Sequence, residues 1–260
     1  MVIISLFMEI KYASVYAIYL AIISGLRFII TSVSGGSAAG FGNLLTSEDQ
    51  ESINRVFDVF EFIQFALTTI IYTICAVMII PFMQIYTEGI VDANYIQPVF
   101  AYLLIIAECG YCIRLIYSTL TNAAGHFKGT RAGAVMEAAL NVVLSLVLVH
   151  KFGLVGIAIG TAVGMLSRVV FEVIYLSQNI LRRPVVKFVK AVAINVSISA
   201  ISVLICRALP QLTDFTPVDW IVRAIIVAMI TIGVAIVFYL IFYISTIKNI
   251  VKTAMPFCKK

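Results

Sequence analysis

The sequence NAAGHFKGTRAGAVMEAALNVVLSLVLVHKFGLVGIAIGTAVG, residues 122–164, decides the fold of this chain. A short basic loop leads into an apolar run, a tight turn follows at residues 150–153, and a second apolar run returns. The second run carries Gly156, Gly160 and Gly164, a spacing at which the backbone of a neighbouring helix can approach closely. Two apolar helices folded back on each other predict a membrane helical hairpin.

The composition excludes a soluble protein. Of 260 residues, 62% are hydrophobic and 12% are charged, and the mean hydropathy is +1.08. The charged share is about half of that in an ordinary soluble domain, which is too little to cover the apolar side chains. The basic residues behind the net charge of +5 lie in short loops between apolar runs, which favours a role in membrane topology over nucleic-acid binding.

Seven segments remain apolar over the length of about 20 residues that a spanning helix needs. They are residues 12–33, 57–86, 98–120, 132–149, 154–176, 188–208 and 218–244. We therefore expect an all-α, polytopic membrane bundle of about seven transmembrane helices that forms a single domain over residues 1–260. The longest connection, residues 34–56, is predicted as a glycine-rich loop with a short helix that Ser47 caps. Residues 2–8 are too few to span, and they look like the end of a further helix rather than a signal peptide.

Lysine and arginine are unevenly distributed between the predicted loops. Most of them lie before the second, fourth and sixth spans and in the tail, for example Arg131, Arg183 and Lys252. Because short cytoplasmic loops carry an excess of basic residues, this bias predicts a cytoplasmic C-terminus. Seven spans then put the N-terminus outside. That topology fits a chain preceded by an odd number of further spans, or a seven-span protein with an external N-terminus.

Charged residues occur inside several of the predicted spans. At bilayer depth an ionised side chain costs several kcal/mol, so it must face protein or water. Arg27 in the first span shares one helix face with Ser24, Thr31 and Ser34. Two interpretations fit it: a cation lining a translocation cavity, or a structural ion pair within the bundle.

The third span holds Glu108 and Arg114. Their spacing places them on different faces of the helix, so they cannot pair with each other. Arg114 is a second candidate for the cavity, with a structural pair as the alternative. Glu108 is the carboxylate that would matter if the cargo were a cation.

Two further patterns lie in the fourth and fifth spans. Glu137, Asn141 and Ser145 repeat every four residues and form a polar seam, directed either at neighbouring helices or at a cavity. Arg168 and Glu172 are spaced i, i+4 and can pair on one face, which favours a structural role for them.

Catalytic and metal-binding motifs are absent from the sequence. It contains no G-x-S-x-G, no H-E-x-x-H, no Walker lysine and no cluster of metal ligands, so we expect no enzyme activity, no metal and no cofactor. Cys109 and Cys112 have the spacing of a redox pair. They lie in the middle of a span, however, and a reactive pair needs a helix N-terminus with access to solvent. We interpret them as small packing residues.

Residues 122–161 resemble the signature region of polysaccharide flippases. These proteins transport O-antigen, capsule and exopolysaccharide precursors and belong to the multidrug/oligosaccharidyl-lipid/polysaccharide exporter superfamily. The positions that carry the resemblance are Gly125, Lys128, Thr130, Glu137, Asn141, Ser145, Lys151, Gly153, Leu154, Gly156, Ala158, Gly160 and Thr161. Residues 14–45 also resemble the helix and loop that open much of the C-terminal lobe in this family.

The resemblance implies one lobe of a two-lobed, MATE-like transporter, here the C-terminal one. Family members have about twice as many spans and work by alternating access around a central cavity. It further implies a bacterial cytoplasmic-membrane flippase for a lipid diphosphate-linked oligosaccharide, with H⁺ or Na⁺ as a possible coupling ion. Arg27 and Arg114 would then attract the diphosphate. Glu137, Asn141 and Arg168 would line or brace the cavity.

Two alternatives stay open at this point. A cation-coupled exporter of drugs or metabolites would keep the fold but depend on an intramembrane carboxylate, Glu108 or Glu137. A membrane-embedded transferase acting on lipid-linked sugars would need an acid or base at a membrane face. The candidates for that role are Glu48, Asp49 and Glu51, which more simply form a solvated helix face.

Overall fold

The computed structural model describes residues 2–45, 49–209, 216–244 and 246, and these residues form helices joined by short connections without any β-strand. In chain order the helices of these ranges are α1 (Val2–Phe7), α2 (Ile10–Leu45), α3 (Gln50–Tyr86), α4 (Pro98–Ala123), α5 (Phe127–Phe152), α6 (Leu154–Asn179), α7 (Val186–Arg207) and α8 (Pro217–Phe242). Helices α2 to α8 are long and apolar enough to cross a membrane. The predicted all-α bundle of seven transmembrane helices is confirmed.

The connection predicted at residues 34–56 is wrong in most of its length. Helix α2 continues to Leu45, and α3 already begins at Gln50. Asp49 caps α3 by accepting hydrogen bonds from the backbone N–H groups of Glu51 and Ser52 at 3.1 and 3.3 Å. The proposed cap, Ser47, lies outside the described residues. Glycine costs a helix about 1 kcal/mol, whereas an unsatisfied backbone group near lipid costs several, so the glycine-rich segment stays helical.

Helix α4 lies at the centre of the bundle. It packs against α2, α3 and α6, while α5 packs along α6, and α7 and α8 pack on α3. A large apolar cluster fills the space between α2, α3 and α4, with Tyr19, Tyr72 and Phe100 fully buried in it. Tyr19 donates a hydrogen bond to the carbonyl of Tyr95 at 2.8 Å and so ties α2 to the α3–α4 connection.

The hairpin of α5 and α6 has the close contact that its glycine spacing predicts. The turn is made by Gly153 with a φ of 55°, a conformation that side chains disfavour. A Cβ atom at Gly156 would lie 2.4 Å from the carbonyl oxygen of Leu148, and one at Gly160 would lie 2.4 Å from the hydroxyl of Ser145. The backbones of α5 and α6 therefore touch along the glycine ridge formed by Gly156, Gly160 and Gly164. Any other position of α6 against α5 would lose this contact.

We expect Gly156→Ala to destabilise the hairpin by about 1–3 kcal/mol, because the added methyl group meets backbone that cannot move aside. The thermal unfolding midpoint of the purified chain in detergent measures this effect. Gly233→Ala on α8 is the matched control, since its Cβ would meet nothing within 4 Å. Equal midpoints for the two variants would show that the ridge does not hold the helices.

Candidate functional site

Charged side chains of α2, α4, α5 and α6 meet in one network inside the spans, which begins between α2 and α4. The guanidinium of Arg27 on α2 lies 3.3 Å from Oε2 of Glu108 on α4. A third of the Arg27 side chain is exposed, at 33%, whereas Glu108 is buried behind it at 6%. The exposed part of the Arg27 side chain therefore faces away from the bundle, and its guanidinium contacts a buried carboxylate.

The network continues from α4 through α6 to α5. Arg114 Nη1 lies 3.0 Å from Glu172, and Arg168 Nε lies 2.6 Å from the same carboxylate. Arg168 also reaches Glu137 on α5 at 3.2 Å. Ser118 donates a further hydrogen bond to Glu172. Glu172 is thus a fully buried hub between α4 and α6, and Arg168 extends its contacts to α5, because charges at this depth need partners at hydrogen-bond distance.

Tyr111 connects the two halves of this network. Its ring contacts the guanidinium of Arg27, 4.6 Å from the ring centroid, and that of Arg114, 5.1 Å away. Both distances are within the range in which a cation is attracted by an aromatic ring. The ring therefore contacts both arginines and limits the freedom of each.

The chemistry of this site is that of two neighbouring arginines, each paired with a buried carboxylate. Arginine offers a planar set of donors that matches phosphate and carboxylate groups, and it stays charged at any working pH. Because the arginines are balanced by Glu108, Glu137 and Glu172, an incoming anion must compete with a carboxylate that is already in place. Lipid cannot cover such a surface, so a water-filled cavity or another protein segment must face it.

The candidate residues are not all brought together. Five of them, Arg27, Glu108, Arg114, Glu137 and Arg168, belong to the network. Asn141 does not: its Cβ would lie 3.2 Å from a Cβ at Gly164, so it packs against the glycine ridge of α6. That position favours helix packing as its role. Whether any of the six contacts a substrate stays a prediction.

Tyr111 and Glu172 are functional candidates that the sequence interpretation did not select. Glu172 was interpreted only as the partner of Arg168, since spacing within one helix cannot reveal that Arg114 on α4 reaches the same carboxylate. Tyr111 shares a polar stripe with Arg114, and that pattern was the available signal.

A second charged cluster lies near the C-terminal end of α4, where the α6–α7 connection meets α3. Arg183 is 7% exposed and reaches Asp58 at 2.7 Å and Glu61 at 2.9 Å. Tyr117 on α4 donates a hydrogen bond to Glu61, and the guanidinium lies 4.7 Å from the centroid of the Phe57 ring. Arg183 was predicted only as a topology signal, and the structure makes it an anchor between α3 and the connection.

The electrostatics of this cluster favour a permanent ion pair. Burial by itself lowers the pKa of the Arg183 guanidinium, but the hydrogen bond and the charge of Glu61 outweigh it, so the pKa lies above its usual value. The anchor is thus charged at every physiological pH.

A cavity elsewhere in the bundle does not contain the network. It has a volume of about 520 Å³ and lies between α3, α4, α6 and α7, with mostly apolar walls. Three polar side chains on its α3 wall, Thr69, Thr73 and Thr68, are accompanied by Asn195 and Ser199 of α7. Two of these hydroxyls bond across to α7, Thr69 to Asn195 and Thr73 to Ser199, each at 2.8 Å.

Two further expectations from the sequence concern Cys109 and Cys112 and the absence of a metal site. Cys109 and Cys112 are free thiols on α4, and Cys112 is buried beside the hydroxyl of Tyr72 at 3.7 Å. Within the described ranges no group of His, Cys, Asp and Glu has the arrangement of a metal site.

Comparison with known proteins identifies the fold. No protein-family model and no curated protein matches the sequence. A solved structure described as "Lipid II flippase MurJ, inward closed conformation" is similar, with a TM-score of 0.65, 19% sequence identity and 88% of this chain covered. The present chain spans 47% of that structure's chain, about half its length. At this identity the likeness concerns the polytopic helical fold.

We expect Arg183→Ala to lower the free energy of unfolding by about 3–5 kcal/mol, because it leaves Glu61 buried without its cation. Arg55→Ala is the control. Arg55 pairs with Glu51 at 2.8 Å on the exposed surface, where an ion pair contributes about 0–1 kcal/mol. Chemical denaturation in mixed micelles compares the two. If Arg183→Ala lowers the free energy of unfolding no more than Arg55→Ala does, Arg183 does not anchor the α6–α7 connection to α3.

Proposed function

We propose that this chain is one lobe of a membrane flippase that moves a lipid diphosphate-linked oligosaccharide. The observation that carries the proposal is the pair of guanidiniums of Arg27 and Arg114 that both contact the ring of Tyr111, well inside the spans. Phosphate-bearing ligands suit arginine because each guanidinium can donate two parallel hydrogen bonds to one phosphate. The similar solved structure carries the name of a lipid II flippase, which supports the same substrate class.

The proposal includes a second lobe. The likeness covers about half of the solved chain, and the partly exposed charges of α2, α4, α5 and α6 need a polar partner inside a membrane. We assign residues 1–260 to the C-terminal lobe. A preceding lobe, facing these helices, would enclose the cavity in which the diphosphate crosses.

The finer assignment follows the sequence resemblance. The substrate would be a precursor of surface polysaccharide, such as O-antigen, capsule or exopolysaccharide, and the location would be the bacterial cytoplasmic membrane with the C-terminus inside. Membrane lipids surround the apolar faces, and H⁺ or Na⁺ would be the coupling ion. The residues assigned to the substrate are Arg27 and Arg114, with Glu137 and Arg168 bracing them.

An exporter of organic cations is the second candidate. The observation in its favour is Glu108, whose buried Oε2 accepts no hydrogen bond and could serve a cation. A transferase is supported less. Asp49 caps α3 and Glu51 pairs with Arg55, so both residues of the proposed acidic cluster that the structure describes already have structural roles.

Binding of a lipid diphosphate to the purified chain tests the two candidates against each other. We expect farnesyl diphosphate to bind in lipid nanodiscs and tetraphenylphosphonium not to compete with it. Arg27→Ala should weaken farnesyl diphosphate binding about tenfold to a hundredfold, since a hydrogen bond to a charged group contributes about 1.5–3 kcal/mol. Displacement by the phosphonium, or an unchanged affinity in Arg27→Ala, would contradict the flippase assignment.

Three controls isolate the diphosphate contact. Farnesol has the same apolar chain without the diphosphate and should bind wild type and Arg27→Ala equally. Arg55→Ala removes an exposed arginine far from the network and should leave the affinity unchanged. Arg27→Lys keeps a cation beside Glu108 and so preserves the fold, but it lacks the planar guanidinium. Its affinity for farnesyl diphosphate should lie between that of wild type and that of Arg27→Ala.

A further inference from the structure

The contacts of Arg27 differ from those of the other arginines in the network. Arg114 and Arg168 reach Glu172 at 3.0 and 2.6 Å, and their side chains are 13% and 15% exposed. Arg27 reaches Glu108 through a single nitrogen, at 3.3 and 3.5 Å, and is 33% exposed. Arg27 is therefore the cation that an incoming anion can engage with the smallest loss of existing contacts.

The two buried carboxylates differ in the same way. Glu172 is held by Arg114, Arg168 and Ser118 and remains satisfied if one of them moves. Glu108 depends on Arg27 for its charge balance, and its Oε2 accepts no hydrogen bond. If Arg27 turns toward an anion, Glu108 is left as a buried carboxylate with a weakened partner and a new negative charge nearby. Both changes favour the protonated form.

Within the described part of the chain, the cation that pairs with Glu108 is Arg27. The titratable groups that interact with it are Arg27 and Tyr16 of α2, Tyr72 of α3, and Cys109 and Cys112 of α4. The side chains of α6 nearest to this part of α4 are apolar, Leu166 and Val169 against Gly110. Among these neighbours the tyrosines and thiols are neutral near pH 7, so a proton is the available replacement for Arg27.

We propose that binding of a diphosphate to Arg27 and protonation of Glu108 occur together, so that each ligand bound takes up one proton. The proton passes from water on the open side of Arg27 to Oε2 of Glu108, and Arg27 keeps its charge throughout. The inference rests on the flippase assignment and identifies H⁺ as the ion linked to the substrate. It assigns Glu108 the role of a positioning residue whose protonation releases Arg27.

Calorimetry with farnesyl diphosphate tests the linkage in the full chain in nanodiscs. Titrations at one pH in buffers of different ionisation enthalpy give the number of protons exchanged. We expect uptake of about one proton per ligand, and an apparent Kd that rises with pH across the neutral range tested, by at most about tenfold per pH unit. The sign follows from mass action: a ligand that brings a proton with it binds more tightly where protons are abundant.

The variant that carries the test is Glu108→Gln, which mimics the protonated carboxyl. It should bind farnesyl diphosphate at least as tightly as wild type, with no proton uptake and no dependence on pH in this range. Glu51→Gln is the control, since Glu51 is an exposed carboxylate paired with Arg55, and its proton uptake should equal that of wild type.

The outcomes separate the two proposals. Tight binding to wild type without net proton uptake overturns the linkage and leaves the flippase assignment standing. Proton uptake that persists in Glu108→Gln also overturns it, because the proton then resides elsewhere. Absence of farnesyl diphosphate binding to folded wild type overturns both proposals. The wild-type titration does not depend on any variant, so it tests the proton uptake even if Glu108→Gln fails to fold.

Discussion

A carboxylate buried in the middle of a membrane bundle must have a cation beside it, and Glu172 has two. Arg114 and Arg168 reach it from α4 and α6, and Arg168 extends the chain of contacts to Glu137 on α5. Removing Glu172 would take away the carboxylate with which Arg114 pairs, at a cost of several kcal/mol. Helices α4, α5 and α6 are therefore held in one register by electrostatics as well as by the glycine ridge. The proposed site on α2 and α4 is built on this fixed group.

The position of α4 explains why structure and proposed function are joined in one helix. Its buried faces pack on α2, α3 and α6, and its polar residues reach in two directions. Toward one end Tyr117 meets the Arg183 anchor, and in the middle the ring of Tyr111 contacts both Arg27 and Arg114. Movement of α4 relative to α2 would change the distance between the two arginines.

The sequence predicted where the long helices lie, but not which side chains pair between them. Apolar run lengths located all seven long helices, and the glycines at 156, 160 and 164 predicted the hairpin contact, because both signals are local. The end of α2 was misplaced because a segment rich in glycine and serine is typical of a loop. In a membrane, however, the cost of unpaired backbone groups favours a helix there. Arg27 and Glu108 are 81 residues apart, and helical periodicity gives the face of each without saying which helices meet. The Arg183 anchor was missed for the same reason.

The central claim is that the Arg27 face of α2 is exposed to water within the membrane. Reaction of single introduced cysteines with a membrane-impermeant maleimide in intact cells tests it most directly, against the baseline of the unchanged chain. Ser24→Cys and Thr31→Cys lie on the Arg27 face, and Ile236→Cys lies on the apolar outer surface of α8, where the native side chain is 52% exposed. The account predicts that the two α2 cysteines react and the α8 cysteine does not. Labelling of Ile236→Cys with protection of both α2 cysteines would contradict it.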